Sequence, residues 1–172
     1  MEKLKVISRS EKKKTTKLFA LILINLALLI PTGCSLSGRS EPPALKISAG
    51  EATVQAVRTT YSWQNGNTGV EADGLHPLDM AKELPVLLIS ENTTADLAFD
   101  TMPDQIEILA WKSSTAGMAA YDEPDFRFSL VSDHTVKLPS DDRYIFSVHA
   151  IWEIKDATGG DAYYGFASVP IE

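Results

Sequence analysis

The residues after position 43 predict an all-β fold, arranged as a single antiparallel β-sandwich. Short apolar or alternating runs follow one another and are separated by clusters of Gly, Pro, Asn and Asp, which is the pattern of strands joined by turns. The only helical pattern, at residues 77–84, is too short to form a layer and is stopped by Pro85. The sequence therefore predicts two packed sheets without a helical layer.

Nine strands are expected in this segment, each a run that is apolar throughout or that alternates between apolar and polar residues. From Ala44 to Glu172 the segment has 129 residues, which is enough for one domain with its own core. We therefore expect a single domain over residues 44–172. The expected strands are residues 45–48, 53–63, 86–90, 95–100, 105–112, 126–131, 135–138, 143–155 and 162–169.

The run at residues 143–155 has the clearest alternation and indicates which side chains face the core. One set of its positions is wholly apolar, whereas His149 is expected on the opposite, mixed face with Ser147 and Ile151. Residues 156–161 contain two glycines and are expected to form a hairpin loop that returns the chain beside this strand. The apolar set expected in the core is Tyr144, Phe146, Val148, Ala150, Trp152 and Ile154.

Residues 138–150 contain a leucine, a turn and then the pattern Tyr-x-x-x-Val-x-Ala. This segment resembles the tyrosine corner of fibronectin type III and related immunoglobulin-like domains. The resemblance implies that Tyr144 opens a strand and that its hydroxyl reaches back to the backbone across the corner. Residues 103–111 look similar to the strand of such domains that carries a buried tryptophan, here Trp111. The resemblance covers about residues 86–171 and implies an immunoglobulin-like sandwich, but no function.

The first 33 residues carry the features of an export signal. Seven basic residues precede or border an apolar run at residues 18–30, which is the order of a signal peptide. As a helix that run would reach about 20 Å at ~1.5 Å per residue, short of the ~30 Å hydrocarbon core of a bilayer. We therefore expect residues 1–33 to be a cleaved signal peptide and not a membrane-spanning helix.

Residues 30–34, Ile-Pro-Thr-Gly-Cys, resemble the bacterial lipobox, in which the cysteine receives a diacylglyceryl group and becomes the new N-terminus. Pro31 departs from the aliphatic residue that is usual there, and Cys34 is the only cysteine in the chain. The resemblance implies a lipoprotein anchored through Cys34 to the extracytoplasmic face of the cell membrane. Residues 34–43 then form the lipidated cysteine and a flexible tether rich in Ser, Gly and Pro. The alternative is an ordinary signal peptide that leaves a free thiol.

Charge narrows the classes of partner. Seven of the 16 Lys and Arg residues but only two of the 23 acids precede Cys34, which leaves nine basic and 21 acidic residues and a net charge of −12 after it. Such a surface repels nucleic acid and anionic lipid, so no nucleic-acid partner is expected. It suits cationic partners or divalent ions, although solubility explains the acids equally well.

Motifs for catalysis are absent from the sequence. After residue 33 neither Gly-x-Ser-x-Gly nor Ser-x-x-Lys occurs, so we expect no enzyme and no cofactor. A hydrolase remains the least favoured alternative. It would need a histidine such as His134 or His149 to meet a nucleophile such as Ser147 and a carboxylate in one pocket.

Metal binding is the other alternative, although no His-x-x-x-His or Cys-x-x-Cys spacing is present and no metal ligand is assigned. His76 and Met80 are four residues apart and are candidates for a soft-metal site, with Met102 and Met118 elsewhere. The acidic loops at residues 122–125 and 141–142 are candidates for Ca²⁺. Turn formation explains the same acids.

Residues 61–79 mix aromatic and hydrogen-bonding side chains around glycine-rich turns, a composition used for sugar or peptide recognition. The candidate ligand-binding residues are Tyr61, Trp63, Asp73, His76 and Asp79. The alternative is that Tyr61 and Trp63 are core residues on one strand face while the two aspartates fix turns. Parts of this segment look similar to small lipoproteins of Bacillus and its relatives, a resemblance that implies an envelope location in a Gram-positive bacterium and no activity.

These observations predict a monomeric, non-catalytic binding or interaction module. It is expected to reach the membrane through the diacylglyceryl group on Cys34 and to bind an envelope glycan, peptide or protein. A metal-binding lipoprotein is the first alternative.

Overall fold

The computed structural model describes residues 40–115, 123–130 and 134–171. Within these ranges the chain forms eleven strands and a 3-10 turn at Ser113–Thr115, and it contains no helix long and apolar enough to cross a membrane. The strands are β1 (Leu45–Ala49), β2 (Ala52–Gln55), β3 (Val57–Asn65), β4 (Thr68–Ala72), β5 (Val86–Ile89), β6 (Thr94–Phe99), β7 (Gln105–Lys112), β8 (Phe126–Leu130), β9 (Thr135–Lys137), β10 (Tyr144–Lys155) and β11 (Thr158–Pro170).

The strands form two sheets that enclose a common core. The smaller sheet has the order β2-β1-β6-β9, and the larger has the order β4-β3-β11-β10-β7-β8. Neighbours along both orders run antiparallel, whereas β5 pairs in parallel with the end of β11. The predicted all-β antiparallel sandwich is therefore confirmed.

From β5 onward the strand order is that of an immunoglobulin-like sandwich. In the larger sheet β10 lies between β11 and β7, and β8 extends the sheet beyond β7. In the smaller sheet β6 pairs with β9. These are the neighbours expected of strands G, F, C and C′ and of strands B and E in such domains. Strands β1 to β4 are additions to this arrangement.

The core between the sheets is centred on β10 and β11. The inward-facing residues of β10 from Tyr144 to Trp152 are at most 5% exposed, as predicted. Phe146 stacks on Phe166 of the neighbouring strand, with ring centres 4.5 Å apart. The prediction fails at Ile154, which is 60% exposed, because the pairing with β11 shifts its register after Trp152.

The hairpin between β10 and β11 is tighter than the loop predicted at residues 156–161. Its turn consists of Asp156 and Ala157, which both have positive φ (51° and 60°), as in the type I′ turn that matches the twist of a hairpin. Gly160 belongs to β11, and a Cβ on it would lie 2.1 Å from the Ser62 carbonyl oxygen. Gly160 is therefore needed because β3 approaches so closely. It is not part of the turn.

The strand predicted at residues 53–63 is in fact two strands, β2 and β3, separated at the buried Ala56. The chain passes there from the smaller sheet to the larger one. Strand β4 was outside the prediction and pairs with β3 across a turn at Gly66, where φ is 62°. Its residues are mostly exposed, so it lacks the apolar face by which strands are recognised.

The predicted helical turn at residues 77–84 is not a helix but a series of turns. Asp79 N–H donates to the His76 carbonyl oxygen, and Glu83 N–H donates to that of Met80, both at 2.9 Å. We call residues 73–85 the cover segment, because it packs on the outer face of the larger sheet. The resulting second cluster contains Leu78, Ala81 and Leu84 of the cover segment with Trp111, Ile145 and Ala167 of the sheet.

Two positions explain how the cover segment fits so closely. A Cβ on Gly165 would lie 2.8 Å from Leu84 Cδ2 and 3.2 Å from Pro77, so a side chain there would push the segment away. Trp111 is buried, as the resemblance implies, but its contacts lie in this outer cluster. Immunoglobulin domains instead bury their tryptophan between the sheets.

The packed part of the chain begins earlier than predicted. Pro42 and Pro43 are buried, and the Tyr164 hydroxyl donates to the Pro43 carbonyl oxygen. Arg58 donates to the Pro42 carbonyl oxygen at 2.6 Å and also pairs with Glu41. Residues 41–43, which were expected to belong to a flexible tether, are therefore packed against the domain.

The corner before β10 differs in one contact from the tyrosine corner that it resembles. The Tyr144 hydroxyl donates to Asp141 Oδ1 at 2.8 Å, not to the backbone as the resemblance implies. Burial and the neighbouring Asp141 carboxylate raise the pKa of the Tyr144 hydroxyl. The phenol therefore stays protonated at neutral pH and remains the donor of this hydrogen bond.

Replacing Ser168 with alanine is expected to stabilise the fold. Ser168 lies opposite Tyr144 and is fully buried, and its hydroxyl has no hydrogen-bond partner in the part of the chain that the structure describes. Since an unsatisfied buried hydroxyl costs free energy, Ser168→Ala should raise the free energy of unfolding by roughly 1 kcal/mol. Urea titration measures this. Ser48→Ala, which removes an exposed hydroxyl, is the control, and a loss of stability in Ser168→Ala would contradict the prediction.

Candidate functional site

The structure separates the aromatic candidates from His76. Trp63 is 4% exposed and lies in the core between the sheets, with its ring edge-on to Trp152 at 5.4 Å. Tyr61 lies on the same side of β3, and the Arg58 guanidinium covers its ring at 4.9 Å. His76 instead packs against Trp111 at 5.3 Å on the outer face of the larger sheet. Trp63 and His76 thus share no surface.

The two candidate aspartates flank His76 along the cover segment. Asp73 and Asp79 are both exposed. The charge of Asp79 raises the pKa of His76, but partial burial of the imidazole has the larger effect and lowers it. Leu78 N–H donates to His76 Nδ1 at 3.2 Å, which requires that nitrogen to be unprotonated. His76 is therefore held in its neutral form.

His76 is part of the wall of an open cavity of about 350 Å³. Strand β3 and the cover segment form opposite walls, which are held together where Thr60 Oγ1 accepts from Gly74 N–H at 3.2 Å. A Cβ on Gly74 would lie 2.9 Å from the Thr59 backbone, so a glycine permits this approach. We call the cavity the outer-face site. It is lined by Thr59, Thr60, Gly74, His76, Pro77 and Tyr163.

Tyr163 is the aromatic side chain of the outer-face site, and a second ring stacked on it holds it in place. His149 lies directly opposite on β10 and stacks on the Tyr163 ring, with centroids 4.1 Å apart and planes 3° from parallel. His149 Nε2 in turn bonds to Asp161 Oδ2 at 3.1 Å. Burial and the charges of Asp161 and Glu107 raise the pKa of the Tyr163 hydroxyl. Tyr163 therefore offers a rigid ring and a protonated hydroxyl.

Sequence reasoning identified His76 and placed His149 correctly on the outer face, but it missed Tyr163. Tyr163 and Tyr164 are adjacent, and alternation alone sends one inward and one outward. Tyr164 is fully buried in the core, and Tyr163 is partly exposed. The usable signal was the neighbour relation between the two strands, which pairs Tyr163 with His149.

The described residues do not form the metal sites that were considered as alternatives. None of them forms a group of three or more His, Cys, Asp or Glu that could hold a metal ion. Met80 and Met102 pack against different apolar clusters, whereas Met118 and Asp122 lie outside the described residues. In the acidic loops, Asp125 accepts from Lys112 N–H at 2.8 Å and Asp141 accepts from Tyr144.

Of the residues named for a hydrolase, His134 lies apart from His149 and Ser147. The His134 carbonyl oxygen accepts from Leu97 N–H in the smaller sheet, whereas His149 lies on the outer face of the larger one. Ser147 is 4% exposed, and in the register of β10 and β11 it lies opposite Gly165, on the side of His149 away from Asp161. The bond from His149 to Asp161 therefore joins it to the neighbouring strand on the side away from Ser147.

Comparisons with protein families, with curated proteins and with solved structures find no match to this chain.

Acidification is expected to destabilise the domain through His76. Because burial lowers the folded-state pKa of His76, the titration of His76 does not change the stability well above the unfolded-state pKa of about 6.5 and lowers it as the pH falls below that value. Protonation also breaks the bond from Leu78 N–H. Unfolding titrations at pH 7.5 and pH 5.5 should show a larger loss of stability for the wild type than for His76→Gln. Equal losses would contradict this assignment.

Proposed function

We propose that this chain is a lipoprotein anchored through Cys34 to the extracytoplasmic face of the cell membrane, whose β-sandwich is a non-catalytic binding module. Its outer-face site would bind an envelope glycan, peptide or protein, and a glycan unit is the ligand favoured here. The observation that carries the binding part is the Tyr163 ring, held by His149 against one side of an open cavity. The anchoring part rests on the sequence around Cys34.

The contacts of residues 41–43 support a short connection between such an anchor and the folded domain. Glu41 is the seventh residue after Cys34, so the extended chain between them reaches at most about 25 Å. Glu41 and Pro42 are already held by Arg58. A module attached in this way would meet ligands close to the membrane.

The chemistry of the cavity favours an uncharged, hydroxyl-bearing ligand. Two threonines, a neutral histidine and a tyrosine supply its polar groups, and none of them carries a charge near neutral pH. Aromatic rings with fixed orientation are the usual anchors of binding sites, because little conformational entropy is lost when a ligand stacks on them. A sugar ring offers both an apolar face for Tyr163 and hydroxyls for the other groups.

The proposal that the module is non-catalytic is based on His149 and Ser147, which lie on the same face of the sheet as the outer-face site. Asp161 bonds to His149, as a carboxylate bonds to the histidine of a catalytic triad, but Ser147 on the same strand is only 4% exposed. A nucleophile needs a base within about 3.2 Å and access to its substrate. Ser147 lacks that access.

The anchor is tested by substituting the cysteine. Cells that make the wild-type chain and are fed an alkyne-tagged fatty acid should yield a labelled protein in the membrane fraction. Cys34→Ala should lose the label and remain uncleaved, since processing of lipoprotein precursors follows lipidation. A labelled Cys34→Ala chain, or an unlabelled wild type, would contradict the proposal.

Binding is tested at Tyr163. Tyr163→Ala should weaken retention of the membrane-anchored protein on solubilised cell-wall glycan by about 30-fold, which corresponds to the ~2 kcal/mol typical of an aromatic anchor. Tyr61→Ala is the matched control, because Tyr61 is a partly buried tyrosine on the opposite face of the sheet. Equal retention of the two variants, with both still folded, would remove the outer-face site from the proposal.

A further inference from the structure

A second cavity, separate from the outer-face site, lies at the edge of the sandwich between β8 and β9. It measures about 400 Å³. Its walls are mostly apolar, with polar groups at the rim. Phe126, Phe128, Leu138 and Pro139 contribute apolar surface, and Lys137 and Asp141 lie beside them. We call it the edge groove.

The edge groove exists because the two sheets differ in width. Phe126 and Phe128 lie opposite Ala110 and Ile108 of β7, whose side chains face the core, so the two phenylalanines project to the same side. Among the described strands, the smaller sheet ends at β9. Strand β8 therefore extends beyond it, and Phe126 is 38% exposed.

The aromatic wall of the groove is rigid. Phe126 and Phe128 stack with their planes 8° from parallel and their centroids 6.2 Å apart. Phe126 also meets the fully buried ring of Tyr144 edge-on at 5.5 Å. An apolar ligand would thus find a preformed surface, and little ordering of side chains would oppose binding.

The charges at the rim specify the sign of the ligand. The Asp141 carboxylate is compensated, since it accepts from the Tyr144 hydroxyl and pairs with Lys112 Nζ at 3.3 Å. Lys137 is exposed and forms no ion pair with any described residue. Among the described residues that line the groove, the charge without an ion-pair partner is therefore positive.

We infer that the edge groove binds a single molecule of a long-chain carboxylate. Its apolar chain would lie on Phe126 and Phe128, and its carboxylate would lie at Lys137. A groove of about 400 Å³ has room for an acyl chain of such a ligand. The carboxylate stays at the exposed rim, so it is not buried without water. This site is independent of the outer-face site and of the function proposed for it.

The inference is tested by photo-crosslinking on the full-length, membrane-anchored protein. The probe is dodecanoate with a diazirine in its chain, supplied below saturation, and the labelled peptides are located by mass spectrometry. Labelling is expected at Phe126, Phe128 or Leu138. Unlabelled dodecanoate should compete, whereas dodecanol, which lacks the charge, should compete several-fold less well.

Variants separate the contribution of the apolar wall from that of the charge at Lys137. Phe126→Ala should reduce labelling at least tenfold, and Lys137→Gln should reduce it about threefold, as expected for a charge at an exposed rim. Lys46→Gln, at an exposed lysine of β1, and Tyr163→Ala should leave labelling unchanged. Thermal melts establish that each variant is folded. Labelling that is insensitive to Lys137→Gln, equal competition by dodecanol, or labels only outside the groove would overturn the inference.

Discussion

The fold depends on one constraint, which is that β10 must be covered on both faces along its first half. From Tyr144 to Val148 every residue is buried, so inward side chains need the smaller sheet and outward side chains need another cover. The cover segment supplies it by placing Leu78, Ala81 and Leu84 against Ile145 and its neighbours. It extends only part of the way along the sheet. Where it ends, the outer face becomes polar and the Tyr163–His149 pair is found at its border.

Alternation in the sequence was sufficient to predict the central sandwich. The inward set of β10 and the outward position of His149 follow from the period of two, because a strand with one apolar face has only one register that buries it. Ile154 escapes this rule because a register shift precedes it. Strand β4 and the two-residue turn at Asp156 and Ala157 were not predictable, since exposed strands lack a pattern and the glycines of the region serve strand contact instead.

The candidate site shows why composition is a weaker guide than pairing. Tyr61 and Trp63 look like binding residues in the sequence, but their strand has its aromatic side toward the core, where Trp63 meets Trp152. His76 was named on the same ground of composition, and the structure places it in the wall of the outer-face site. Tyr163 could be recognised only after β10 and β11 were placed side by side. Contacts between residues distant in sequence therefore decide which aromatic rings are available to a ligand.

The attachment of residues 41–43 also has a mechanical meaning. In a chain held at Cys34, tension on the N-terminal side would reach the Glu41–Arg58 ion pair and the hydrogen bond from Tyr164 to Pro43 before it reached β1. Arg58 and Tyr164 belong to β3 and β11, which are paired over most of the length of β3, so the load would spread into the wider sheet. The smaller sheet would therefore be protected from the pulling force. Strand β1 would bear the load only after the contacts of residues 41–43 with Arg58 and Tyr164 had broken.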